Sequence, residues 1–267
     1  MTHGPGRRNA PPANRACAEN IRKFSAPADL REKAPDGRQR CLACAHKCVI
    51  APGAYGICGS RFNETGVLRA PWGYVSSAGL DPVEKKPFFH ALPGSGAFSF
   101  GTTGCNFKCG FCQNSGLSRS GREPDSGAAD MFPADAGTLA AAARDSGAAF
   151  MVSTYNEPLI SAEWSVAVMK EAGKYGIRGG FVSNAYASAE ALEYIKPHVR
   201  IYKADLKTFS AGNYSDVIGG SLEGVLKGIE AVCAGGFWLE IVTLFIPGFN
   251  DSRKEMEEIA GYIAGLS

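Results

Sequence analysis

Three cysteines, Cys105, Cys109 and Cys112, sit with three and two residues between them on a glycine-rich loop. Thiolates at this spacing can hold three irons of a cubane iron–sulfur cluster, leaving the fourth iron without a protein ligand. Electron-carrying clusters are ordinarily held by four cysteines, so a run of three predicts an open coordination site for a small molecule. A second set, Cys41, Cys44, Cys48 and Cys58, falls within 18 residues, with His46 inside it. Four soft ligands so spaced predict a tetrahedral zinc site or an auxiliary iron–sulfur cluster. His46 is then an outer partner or a substitute for one cysteine.

The elements that must position these groups read as a repeating strand–helix pattern. Short apolar runs at 97–100, 149–152, 181–182, 199–204 and 238–246 alternate with helical segments at 136–143, 160–175, 188–195, 222–233 and from Ser252 onward. Five such units predict an α/β fold with a parallel sheet, open or curled into a barrel. Each strand ends in unusual polar groups: the cysteines, then Asn156 and Glu157, then Ser183 and Asn184, then Asp205 and Lys207. Strand C-terminal ends of parallel α/β folds share one face, where ligands bind. The open iron is therefore expected to face a carboxylate for an amine (Glu157), polar groups for hydroxyls (Asn184, Asp205) and a cation for a carboxylate (Lys207). Phe111, between two cysteines, offers an apolar wall. A ligand with the methionine end of S-adenosylmethionine meets all of these demands.

Composition narrows the setting. The net charge is +2, yet residues 1–40 carry nine Arg/Lys against four Asp/Glu. The basic excess belongs to a tail over residues 1–30, expected to be disordered and solvated. No basic stripe on the folded body points to nucleic acid, and no apolar run approaches the roughly 20 residues of a membrane span. The start lacks a secretory core, and seven of nine cysteines cluster, as metal ligands rather than disulfides do. A cytoplasmic protein is expected. Of the two isolated cysteines, Cys233 reads as a buried core thiol and Cys17 lies in the tail. The expected organisation is the tail, a Cys-rich metal-binding module with a connecting loop over 31–92, and a core domain over 93–267.

The spacing Cys105-x3-Cys109-x-Phe111-Cys112 resembles the signature of the radical S-adenosylmethionine (radical SAM) superfamily. Thr154-Tyr155-Asn156-Glu157-Pro158 stands where that superfamily has its Gly-Gly-Glu motif, here without the two glycines. Asp205-Leu206-Lys207 resembles a cofactor-contacting segment of the pyruvate formate-lyase activating enzymes, and Ile246-Pro247-Gly248-Phe249-Asn250-Asp251 their segment near the adenine. More closely, residues 41–48, 56–59, 81–90, 104–114, 155–158 and 238–251 resemble the AmmeMemoRadiSam-system radical SAM enzymes, with Ala45 where a proline is usual. The resemblance implies a partial (β/α)6 barrel, here stopping after about five units at Gly265-Leu266-Ser267. It implies a [4Fe–4S] cluster on Cys105, Cys109 and Cys112, with S-adenosylmethionine contacted by Phe111, Asn156, Glu157, Ser183, Asn184, Asp205 and Lys207. It further implies reductive cleavage to a 5′-deoxyadenosyl radical that abstracts hydrogen from an unidentified small-molecule or protein substrate. A flavodoxin- or ferredoxin-like donor would supply the electron, and no side chain need act as acid or base. Two alternatives stay open: an activase installing a glycyl radical on a partner, and a two-metal-site electron-transfer protein.

Overall fold

The computed structural model of the chain describes residues 15–120, 122 and 129–266. Its centre is a six-stranded sheet: β1 (Ser77–Pro82), β2 (Gly96–Gly101), β3 (Phe150–Ser153), β4 (Arg178–Ser183), β5 (Val199–Asp205) and β6 (Trp238–Val242). The order is β6-β5-β4-β3-β2-β1; β2 to β6 are parallel neighbours in chain order, and β1 pairs antiparallel with β2 at the edge. Parallel strands need crossovers, supplied by α1 (Ala136–Asp145), α2 (Ala162–Gly173), α3 (Ala189–Ile195) and α4 (Leu222–Ala234), with α5 (Arg253–Ala264) after β6. The five parallel strands are the five read from the apolar runs; β1 adds an antiparallel edge strand to them.

Capping groups start the helices where they do. Side chains of Asp135, Ser188, Ser221 and Ser252 accept hydrogen bonds from the first-turn N–H groups of α1, α3, α4 and α5. The helix over 160–175 stops at Gly173 rather than running to Gly176, whose φ of +75° instead turns the chain towards β4.

β3 is buried on both faces, as strands covered by helices on one side and packing on the other must be. Met151 packs with the helices, while Phe150 and Val152 face Val83, Phe88, Ala91 and Ala97. The segment after β1 thus covers one face of the sheet. It is tied to the opposite edge by Glu240 on β6, whose carboxylate accepts from the N–H groups of Phe89 (2.7 Å) and His90 (3.1 Å).

Three expectations need correcting. The tail read over residues 1–30 is ordered from Arg15 in the described residues. Arg15–Lys23 is a helix, and Ser25–Pro27 pairs antiparallel with Val67–Pro71. Its amphipathic face closes over Tyr55 and Phe62, so Cys17 is buried at 0 % exposure, while Cys233 is only partly buried. The boundary drawn at 92/93 runs through the sheet, because β1 belongs to the Cys-rich side in sequence and to the core in hydrogen bonding. Among the described residues no helix is long and apolar enough to cross a membrane.

Candidate active site

β2 delivers the cysteine loop to the sheet's C-terminal end. Gly104, at φ +88°, makes the turn possible: a Cβ there would stand 2.7 Å from the Cys58 carbonyl oxygen and 2.0 Å from Ser60 Oγ. Cys105, Cys109 and Cys112 then open on a cavity of about 530 Å³, shared with Phe111, Asn156, Glu157, Asn184, Lys203, Asp205 and Lys207. Burial pushes the Cys105 thiol up to about 12, and the neighbouring Glu157 adds to this. The thiolates are thus left to form when a metal displaces the protons. Donors for them are in place: the Phe107 N–H lies 3.4 Å from Cys105 Sγ and Ser118 Oγ 3.3 Å from Cys112 Sγ.

Glu157 is 2 % exposed and held on three sides. Oε1 accepts from Ser183 Oγ (2.8 Å) and the Leu159 N–H (3.0 Å), and Oε2 from the Asn184 N–H (2.8 Å). Burial outweighs these bonds and the Lys207 charge, and lifts the carboxyl to about 7. Ser183 itself stands behind Glu157, accepting from Tyr202 Oη (2.7 Å). Asn184 turns its Nδ2 to Asn106 Oδ1 at 2.7 Å, linking the β4 end to the cysteine loop.

Asn156 lines the cavity and is also bonded to the turn before Cys105. Its Oδ1 accepts from the Thr102 N–H (3.1 Å), and its Nδ2 donates to Thr102 Oγ1 (3.1 Å) and the Gly104 carbonyl (2.9 Å). It braces the turn before Cys105 from the cavity's edge.

On β5, burial acts to raise the Asp205 carboxyl, but Lys207 and Lys203 more than offset it and hold it below the usual carboxylate range. Burial likewise acts against the Lys207 charge, and Asp205 more than restores it. Lys203, 4 % exposed and bonded to Asp205, was read only as a strand residue. Its place two residues before Asp205 on one strand face was the available signal. Asn250 Nδ2 donates to the Lys207 carbonyl at 2.8 Å, which brings Phe249 to 5.3 Å from Phe111, centroid to centroid. Phe111 thus has an apolar partner in Phe249.

Two further groups stand near the two cysteine sets. Lys86 reaches from beyond β1 to Asp81 (2.9 Å) and Tyr155 Oη (3.2 Å) at the cavity's other side. Tyr155 adopts φ +73°, rare for a side chain of its size. Arg61 and Glu163 form a buried ion pair, 1 % and 3 % exposed, beside Cys41 and Cys58. Arg61 Nε also donates to the Ile160 carbonyl at 2.8 Å.

Cys41, Cys44, Cys48 and Cys58 gather round a separate small cavity. Among the described residues no three His, Cys, Asp or Glu side chains are already drawn together as a ready metal site. The three-cysteine loop nevertheless fits a cluster in its donor chemistry: three thiols on the wall of one large cavity, with N–H, hydroxyl and cationic partners around them.

Residues 100–263 match the radical SAM superfamily. Over 234 residues the chain is 32 % identical to MJ0808, an uncharacterized protein of Methanocaldococcus jannaschii, covering 87 % of this chain and 68 % of that one. Over 121 residues it is 28 % identical to the benzylsuccinate synthase activating enzyme of Thauera aromatica, covering 45 % of this chain and 36 % of that enzyme. A crystal structure of a domain of pyruvate-formate lyase-activating enzyme from Bacteroides vulgatus superposes with a TM-score of 0.41 at 23 % identity, over 43 % of this chain and 71 % of that one. From a parallel α/β sheet with a three-cysteine loop on its ligand face, and a superfamily match over most of that sheet, it follows that the chain belongs to the radical SAM superfamily.

Proposed function

We propose that the chain is an enzyme that cleaves S-adenosylmethionine reductively at a [4Fe–4S] cluster held by Cys105, Cys109 and Cys112. The observation that carries this reading is one 530 Å³ cavity uniting the three cysteines with Glu157, Asn184, Asp205 and Lys207. When bound, the cluster and S-adenosylmethionine supply one-electron cleavage of the cofactor and hydrogen abstraction from a substrate. The chain's residues do the holding. Glu157 takes the amino group, Lys207 the carboxylate, and Asn184 and Asp205 the ribose hydroxyls, against the wall of Phe111. Asn156 and Ser183 keep the cysteine loop and Glu157 in place. No side chain has to move a proton.

The placement among the AmmeMemoRadiSam-system enzymes rests on the Cys41–Cys58 and Tyr155–Pro158 motifs. Cys41, Cys44, Cys48 and Cys58 are read as a second metal site. The electron comes from a flavodoxin- or ferredoxin-like donor in the cytoplasm, where cysteines outside disulfides are maintained. The substrate is a small molecule or a protein. A second reading, a glycyl-radical activase, is favoured by the similarity to the benzylsuccinate synthase activating enzyme.

The test is anaerobic reconstitution followed by dithionite reduction. The expected results are 5′-deoxyadenosine formation and a reduced-cluster electron paramagnetic resonance signal that S-adenosylmethionine alters, both lost in Cys105→Ala. A cluster whose signal ignores the cofactor, with no deoxyadenosine, would mean an electron-transfer protein instead. A glycyl radical raised on a co-encoded partner would select the activase.

A further inference from the structure

Lys85, Lys86 and Tyr155 line the same cavity of about 530 Å³ as the three cysteines, and none of them has a part in holding the cofactor. Charge is arranged there in two matching sets. On β5, Lys203 and Lys207 share the Asp205 carboxylate; after β1, Lys85 (3.1 Å) and Lys86 (2.9 Å) share that of Asp81. Each set holds one positive charge beyond its carboxylate, and the β5 set meets the carboxylate of the cofactor. Lys85 is solvated, but Lys86 is 6 % exposed and has little water to balance its charge.

Both Lys86 and Tyr155 are fixed in place. Lys86 stands between the buried Val83 and Phe88, and its N–H donates to the Val83 carbonyl at 2.9 Å. Tyr155 takes φ +73°, and Asn114 Nδ2 donates to its carbonyl at 2.8 Å. Its ring lies so close to β2 that a Cβ on Gly101 would stand 3.0 Å from it. Backbone of this kind clusters at functional sites, where the surrounding structure holds it. The result is that Lys86 Nζ donates to Tyr155 Oη at 3.2 Å. An ammonium has three hydrogens to donate and a phenol one. Among the described residues, Asp81 and Tyr155 take two from Lys86, while its third N–H and the Tyr155 O–H have no acceptor. Two donors on neighbouring atoms suit the two oxygens of one carboxylate. Pro87, Val182, Val242 and Leu244 give the same cavity an apolar lining.

We propose that Lys86 Nζ and Tyr155 Oη receive a carboxylate of the substrate, which is then a small carboxylic acid whose apolar body lies against Val182 and Val242. This rests on the reading that Glu157, Asn184, Asp205 and Lys207 hold S-adenosylmethionine in the same cavity. A single excess charge at Lys85, Asp81 and Lys86 matches a monoanion better than a doubly charged phosphate. Asp81 keeps the Lys86 ammonium oriented, and the phenol adds a directional bond to its charge.

The test compares phenylacetate with its near-isosteric amide, phenylacetamide, by calorimetry on the oxidised, reconstituted holoenzyme saturated with S-adenosylmethionine. Expected is a preference for the acid of about tenfold or more, lost in Lys86→Met and cut about threefold in Tyr155→Phe, with phenylacetamide still bound by both variants. Equal affinity for acid and amide in the native enzyme, binding of neither, or a preference that survives Lys86→Met would overturn the site. Should Lys86→Met not fold, Tyr155→Phe decides alone: it removes one hydroxyl and keeps the ring, and an undiminished preference overturns the assignment. The outcome is separable from the reductive assay. Deoxyadenosine formed without an acid preference overturns only this site; an acid preference without deoxyadenosine overturns only the radical reading.

Discussion

The backbone N–H of Asn184 donates to Oε2 of Glu157 at 2.8 Å, tying the loop after β4 to the loop after β3. With Ser183 and Leu159 on the other oxygen, the carboxylate is oriented before any ligand arrives. Burial still holds its pKa near 7. The carboxyl titrates upward from an unfolded value of 4.5, so its stabilising contribution is complete below 4.5 and is lost as pH rises through about 7. An ammonium ligand prefers the ionised form. Cofactor affinity is therefore expected to fall towards tenfold per pH unit below about 7, with proton uptake or release visible by calorimetry in two buffers. Glu157→Gln is expected to remove that pH dependence and weaken binding by about ten- to a hundredfold. A pH-independent affinity in the native enzyme would count against Glu157 as the amine acceptor.

Asn156→Ala deletes three hydrogen bonds to Thr102 and Gly104. The loss is expected to cost about 2–4 kcal/mol in denaturant unfolding. Cluster content after reconstitution should drop as well, because the turn before Cys105 loosens. Asn156→Asp, which keeps the acceptor for the Thr102 N–H, should retain part of the stability. Equal losses in both variants would argue against this brace.

Gly228 on α4 faces the Asn184–Tyr186 loop so closely that a Cβ would stand 1.8 Å from the Ala185 carbonyl oxygen. Ala185 already holds φ +56°. Gly228→Ala should cost about 1–3 kcal/mol through overpacking. It should also displace Asn184 and so weaken cofactor binding. Gly173→Ala on α2, where a Cβ meets nothing within 4 Å, is the control and should be neutral or slightly stabilising.

The Arg61–Glu163 pair is buried, with the Leu30 N–H on Glu163 Oε1 at 3.2 Å. Glu163→Gln keeps an acceptor but strands the guanidinium, and should cost about 3–5 kcal/mol. Arg61→Met with Glu163→Leu should cost less than the sum of the single changes, as measured by a double-mutant cycle in thermal unfolding.

Much of the site was legible because its signals are local. The Cys105-x3-Cys109-x2-Cys112 spacing, the apolar runs and the polar residue ending each strand can be read within ten-residue windows. Parallel α/β topology then carries those ends to one face. The helix starts near Ser188 and Ser252 belong to the same class.

What the tertiary structure alone decided is where each polar side chain went once it arrived. Asn156, at the cavity's edge, reaches back 54 positions to Thr102. Ser183 stands behind Glu157, and Lys203 joins Asp205 inside a strand that reads as apolar filling. Arg61 finds Glu163 across 102 positions, and Cys17 is buried because a helix in the expected tail closes over Tyr55 and Phe62. Local sequence sets which groups come to the strand ends. Their partners are set by burial, since a polar atom taken from water must be satisfied by whatever the fold brings near, however distant in the chain.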